Sequence, residues 1–147
     1  MPYHQTEAVA LRRWRTKEAD AIYLLFTESL GKIRANARGV AKTTSRMAAT
    51  LQPYNRIHVV FYSKQEGQEV LTVTQVSLVR HHPGIQNDLT KLSLTACAAE
   101  LIDACTADAE PNPTLWTLLT KLLAYWDEQE ATQAQLMAFT LRILQST

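Results

Sequence analysis

Residues 31–46 of the chain read GKIRANARGVAKTTSR, and this stretch decides how the amino-terminal half is interpreted. Its alternation predicts a strand with one small apolar face and one cationic face. The apolar face holds Ile33, Ala35, Ala37 and Gly39. The cationic face holds Lys32, Arg34, Asn36 and Arg38. Side chains on one face of a strand lie about 6.6–7 Å apart, close to the phosphate spacing of an extended single strand. The stretch indicates either an anion-binding surface or a cation-rich strand that discourages edge-to-edge pairing.

Charge is distributed unevenly around this strand. Residues 1–82 contain 12 of the 15 Lys and Arg residues and 6 of the 14 Asp and Glu residues, a net charge of +6. Residues 83–147 contain 3 and 8, a net charge of −5. The overall charge of +1 therefore conceals a basic half joined to an acidic half.

Four further strands are predicted around the basic one. Residues 7–15 and 21–27 precede it and form a meander with it, and residues 56–63 and 70–79 follow it. In the last strand the apolar phase changes between Val73 and Val76, which predicts a bulge. Five strands with a long excursion between the third and the fourth predict a partly open barrel of the OB type. An SH3-like barrel is the main competitor.

The period changes to 3.6 residues after Asp88, which predicts a helical bundle. A first helix begins there, a second begins after the N-cap candidate Asn112 and Pro113, and a third begins near Ala131. The predicted fold class is α+β, with a five-stranded OB-fold-like barrel over residues 1–82 and a small all-α bundle over residues 83–147.

The sequence lacks several common catalytic and metal-binding motifs. It has no Gly-rich phosphate loop, His-Glu-x-x-His, Cys-x-x-Cys or Gly-x-Ser-x-Gly motif, so we predict a protein without enzymatic activity, cofactor or metal. The pair His81-His82, followed by Pro83-Gly84, is interpreted as a domain boundary. No apolar run reaches the length of a membrane span, and the amino terminus lacks the layout of a signal peptide. A cytoplasmic protein is expected.

The cations of the meander are the candidate nucleic-acid site, because the first and third strands flank the second. The nine candidate cations are Arg12, Arg13, Arg15, Lys17, Lys32, Arg34, Arg38, Lys42 and Arg46. Trp14, Tyr23 and Tyr54 are the aromatic residues proposed to stack on bases. Such binding is led by the phosphate backbone, so we expect it to weaken as salt rises and to show little sequence preference.

The chain resembles RecO, the family of bacterial recombination mediators. The resemblance covers residues 6–46, the Leu51-Gln52-Pro53 segment, residues 83–104 and the Glu110-Pro111-Asn112-Pro113 helix start. It implies an OB barrel followed by a helical domain, binding of single- and double-stranded DNA, strand annealing, and loading of a recombinase together with RecR and single-strand-binding protein. Some members recognise the acidic tail of single-strand-binding protein through the helical domain.

The helical half departs from the family pattern. RecO proteins are usually longer, so the helical domain is expected to be shortened here. Some members carry a four-cysteine zinc site, which Cys97 and Cys105 alone cannot supply. An alternative function is a protein-interaction adaptor in which the barrel is structural. In that case Leu115, Leu119 or Trp126 of the leucine-rich helices would dock a partner.

Overall fold

The computed structural model describes residues 3–15, 20–38, 46–63 and 70–146. Its strands are β1 (Tyr3–Arg15), β2 (Ala21–Thr27), β3 (Gly31–Ala37), β4 (Arg56–Tyr62) and β5 (Val70–Arg80). Its helices are α1 (Arg46–Thr50), α2 (Pro83–Gln86), α3 (Leu89–Cys105), α4 (Pro113–Glu128) and α5 (Gln133–Ser146). The strands close into a barrel in the order β1-β2-β3-β5-β4, and the helices α2 to α5 follow.

The barrel is the predicted five-stranded OB fold, but it is closed, where a partly open barrel was predicted. Strand β1 is long enough to pair with both β2 and β4, and β3 closes the barrel by a short parallel pairing with β5. The predicted bulge in β5 is confirmed, because the register against β4 shifts between Val60 and Phe61, opposite Gln75 and Val73. An SH3-like alternative is not observed.

Both faces of β2 are buried, and they belong to different cores. Tyr23 and Leu25 point into the barrel, where they join a cluster that includes Phe61. Leu24 and Phe26 point outward and pack in a second cluster formed largely by the helices. The helical half therefore packs on the outer surface of the meander.

The helices begin where the sequence provides caps. The side chain of Asp88 accepts a hydrogen bond from Lys91 N at the start of α3, and Asn112 accepts one from Leu115 N at the start of α4. The N-cap prediction for Asn112 is therefore confirmed. Pro113 follows it at the first helical position, where the missing N–H costs nothing.

Several predicted boundaries need correction. Strand β1 begins four residues earlier than predicted, at Tyr3, because its first residues pair with β4. The short helix α2 was not predicted, since four residues are too few to show a period. Strand β3 ends at Ala37, and Gly39, placed on its apolar face, lies outside the described residues.

Two glycines allow close backbone approaches, one between the barrel and the α3–α4 connection and one between two helices. Gly31 has φ of +71° at the β2–β3 turn, as the turn requires, and a side chain there would overlap the backbone of Glu110. A side chain on Gly84 of α2 would overlap the backbone of Asp127 near the end of α4. Any larger residue at either position must push two backbone segments apart.

Candidate nucleic-acid interface

Lys32, from the predicted cationic face, is buried against the end of α3. Its side chain is 6% exposed. Its Nζ donates to the backbone oxygens of Asp103 (2.7 Å) and Thr106 (2.8 Å) and to Asp103 Oδ1 (3.1 Å). These carbonyls lie at the carboxyl end of a helix, where no intrahelical donor reaches them and the helix dipole favours a cation. Lys32 thus caps α3 from the barrel side.

Arg34 is also paired with the helical half. Its Nη1 donates to Asp108 Oδ2 at 2.8 Å, and both side chains are partly exposed. The amide of Ala109 donates to the carbonyl of Lys32 at 2.8 Å, so the α3–α4 connection follows the first residues of β3. Asn36 is next on the same face, and its buried Oδ1 has no hydrogen-bond partner among the described residues.

The prediction that Lys32 belongs to an open cationic surface is therefore wrong. Alternation shows that a strand face is polar, but it does not show what packs on that face. Here acids more than 70 residues away in sequence neutralise the first part of it. The residues that sequence reasoning missed are Asp103, Thr106 and Asp108, and the negative charge of the second half was the only available signal.

Four arginines lie at the other end of the meander, on both of its faces. Arg15 pairs with Ala21, and Ala21 pairs with Ala37, which immediately precedes Arg38. Arg12 and Arg34 likewise flank Leu24. Two strand spacings place each pair of strand positions about 10 Å apart. We define the arginine end as Arg12, Arg13, Arg15 and Arg38.

The arginine end is exposed and has no carboxylate partner among the described residues. Following the strand alternation, Arg12 shares the outer face with Trp14, whereas Arg13 and Arg15 share the inward phase of β1 where the strand ends. These side chains therefore lie around the end of β1 and the start of β2, on both faces of the sheet, and do not form one flat row.

The three candidate aromatic residues differ in accessibility. Trp14 is half-buried, packs on the helical cluster, and has the guanidinium of Arg12 4.7 Å from its ring centroid. Tyr23 is 1% exposed inside the barrel, and Tyr54 is 9% exposed. Both were predicted to stack on bases, and both are corrected here because their rings are enclosed. Of the three, only Trp14 is partly accessible.

The electrostatic environment of the two enclosed tyrosines agrees with their burial. Burial raises the pKa of the Tyr23 hydroxyl, and Arg13, 5.8 Å from the ring centroid, offsets part of that rise. Burial also raises the pKa of Tyr54, with a further rise from Glu100. The Tyr54 carbonyl accepts a hydrogen bond from the buried His82, whose own pKa is lowered mainly by burial. The bond between His82 and Tyr54 links the start of the helical half to the segment before β4.

The remaining predicted cations are less defined. Arg46 is exposed at the first residue of α1. Lys17 and Lys42 lie outside the described residues, so the site is described without them.

A second cationic feature lies in the helical half. Lys121 of α4 and Arg142 of α5 line one groove of about 440 Å³ with Pro113, Thr117 and Leu118. These are two of only three cations in residues 83–147. The residues that the adaptor interpretation assigns to docking, Leu115, Leu119 and Trp126, are instead buried in the core. They cannot contact a partner in the folded protein.

Neither metal nor membrane features were found among the described residues. No group of three or more His, Cys, Asp or Glu side chains in this part of the chain is arranged to hold a metal ion. The helices of the same ranges are too short or too polar to cross a bilayer.

The fold defines the class of protein to which this chain belongs, a closed five-stranded OB barrel with helices docked on its outer meander face. Residues 1–82 match the family model described as recombination protein O N terminal, and residues 86–147 match the model described as recombination protein O C terminal. The chain belongs to the recombination protein O family.

Curated relatives carry the name DNA repair protein RecO. The protein of Pelotomaculum thermopropionicum is 33% identical over 84% of this chain and 47% of its own length. That of Geobacter metallireducens is 34% identical over 86% of this chain and 50% of its own length, and that of Listeria innocua is 29% identical over 94% and 53%. The chain thus spans about half the length of the curated relatives it matches.

Proposed function

We propose that this chain is a non-enzymatic DNA-binding and strand-annealing protein of recombinational DNA repair, acting as a recombination mediator. The observation that carries the proposal is the arginine end, four exposed guanidinium groups without an ion-pair partner among the described residues. Like charges held together cost stability unless a ligand offsets them, and a DNA backbone supplies the compensating charge. The name shared by the relatives supports a role in DNA repair.

The DNA site that we propose is smaller than the nine-cation site expected from sequence. It consists of the arginine end, with Arg34 beside it and Trp14 as the accessible aromatic. Lys32, Tyr23 and Tyr54 are excluded because their side chains are buried. Guanidinium groups contact DNA mainly through its phosphates, so the proposed ligands are both single- and double-stranded DNA. Such a protein acts in the cytoplasm at the nucleoid.

We expect the triple substitution Arg12→Gln, Arg15→Gln and Arg38→Gln to weaken binding of a single-stranded oligonucleotide at least tenfold at low salt. Each lost phosphate contact removes about 0.7 from the slope of log affinity against log salt, so the slope should fall by about 2. Fluorescence anisotropy across a salt series measures both quantities.

The matched control is the triple substitution Lys91→Gln, Lys121→Gln and Arg142→Gln, which changes the net charge equally but lies in the helical half. Its salt slope should remain that of the wild type. Equal losses in the two triple variants would mean that total charge, and not the arginine end, governs binding. A wild-type affinity that does not respond to salt would refute the proposed function.

We further propose that the groove beside Lys121 and Arg142 receives the acidic tail of single-strand-binding protein, while RecR joins the same assembly. The groove combines two cations with the apolar side chain of Leu118, which suits a peptide carrying both carboxylates and an apolar residue. Its position at the first turn of α4 adds the positive end of that helix dipole.

Charge reversal by Lys121→Glu and Arg142→Glu should weaken binding of a fluorescent acidic peptide with an apolar carboxyl terminus by about tenfold or more. Lys91→Glu, which alters the third helical cation outside the groove, should leave the affinity unchanged. Peptide affinity that is unaffected by the double reversal would place the tail elsewhere.

A further inference from the structure

Asp108 bridges the two cations at the start of the β3 outer face. Its Oδ2 accepts from Arg34 Nη1 at 2.8 Å, and its Oδ1 lies 3.7 Å from Lys32 Nζ. One carboxylate thus presents two oxygens to two neighbouring basic side chains, as a phosphate group would.

Backbone contacts hold the main chain of Asp108 beside β3. Asp108 forms a parallel bridge with Lys32, and the next amide, that of Ala109, donates to the Lys32 carbonyl at 2.8 Å. Ala109 has φ of +58°, which turns the chain away from β3 immediately after the contact. Asp108 therefore remains beside β3 whether or not its side chain is paired.

The two cations depend on Asp108 to different degrees. Lys32 is buried and has three closer acceptors on Asp103 and Thr106. Arg34 has no other ion-pair partner among the described residues, and the pair is open to water, with side chains 38% and 59% exposed. An exposed pair of this kind contributes little net stability, so rotation of the Asp108 side chain releases Arg34 at low cost.

We propose that Arg34 is a phosphodiester-binding group and that Asp108 is a built-in competitor that occupies it when DNA is absent. The proposal rests on the proposed function. Arg34 lies across the buried Leu24 from Arg12, about 10 Å away at two strand spacings, so it lies beside the arginine end. A guanidinium can exchange a carboxylate for a phosphate because both accept two parallel N–H bonds.

Asp108→Asn should raise the affinity for a single-stranded oligonucleotide about threefold at low salt, because Arg34 no longer has to break an ion pair to bind. The gain should shrink as salt rises, because salt screens the ion pair that Arg34 must break in the wild type, while the number of phosphate contacts in the complex stays the same. The matched control is Glu110→Gln, an exposed acid two residues away that forms no ion pair among the described residues. It changes the net charge equally and should have a smaller effect.

Both substitutions, Asp108→Asn and Glu110→Gln, are then made in a protein that already carries Arg34→Gln. In that protein the two substitutions should change the oligonucleotide affinity by the same factor. Equal gains from Asp108→Asn and Glu110→Gln in the wild-type background would overturn the competitor role, as would a gain that persists without Arg34. Salt-independent or absent binding by the wild type would instead refute the proposed function and this proposal with it. Thermal unfolding of each variant confirms that the compared proteins are folded.

Discussion

Lys32→Met is expected to lower the free energy of unfolding by about 3 kcal/mol, because it leaves two part-buried backbone carbonyls and one part-buried carboxylate without their donor. Methionine matches the apolar stem of lysine as far as Cε and keeps most of its apolar contacts. It cannot donate to the carbonyls of Asp103 and Thr106, which lie at the carboxyl end of α3. Replacing a whole buried ion pair by apolar groups can be neutral, but backbone carbonyls cannot be replaced, so the penalty remains.

Urea unfolding followed by tryptophan fluorescence measures this loss. Lys121→Met is the control, since Lys121 is exposed on α4 and forms no ion pair among the described residues. Its effect should stay within about 0.5 kcal/mol. Oligonucleotide affinity of folded Lys32→Met should match that of the wild type, because the amino group faces the helices. A stability within 1 kcal/mol of the wild type would contradict the capping role.

Gly84→Ala is expected to destabilise the protein by about 3 kcal/mol, at the upper end of the usual cost of overpacking. The added methyl would overlap the backbone carbonyl of Asp127, which belongs to α4 and cannot rotate away. The Gly84 amide also donates to Asp127 Oδ1 at 2.7 Å, and Arg80 pairs with the same carboxylate. Separation of α2 from α4 would loosen all of these contacts together.

Asp127→Ala separates the two causes of that loss. It removes the hydrogen bond and the ion pair but creates no overlap, so its cost should be smaller than that of Gly84→Ala. Both variants can be compared by urea unfolding, with Trp126 beside the site as a local reporter. A larger cost for Asp127→Ala would show that the side-chain contacts, and not the close backbone approach, hold α2 on α4.

The elements that sequence predicts well are those that carry their own local signals. Strand β2 has the expected bounds because a continuous apolar run defines it, and helix α4 has the expected start because an Asn-Pro cap defines it. The bulge in β5 follows from a visible change of phase. The division of the chain at residues 82 and 83 remains a prediction.

The candidate site was less predictable because its shape depends on contacts distant in sequence. The apolar outer face of β2 did indicate that both sides of the sheet are covered, and the same cover extends over Lys32 of the adjacent strand. Nothing in the alternation of β3 distinguishes a cation that caps a helix from one that meets solvent. Tyr54 was similarly ambiguous, since its enclosure depends on the fold around residues 51–55.

The bond between the Lys32 carbonyl and the Ala109 amide has a practical consequence for dissecting this molecule. An isolated barrel fragment would lose the strand-like partner of β3, the acceptors of the Lys32 ammonium group and the cover over Phe26. Such a fragment would be poorly folded and prone to aggregate. Its stability and binding would therefore say little about the intact chain. The barrel and the helical half can be told apart in the sequence, but each depends on the other for its stability.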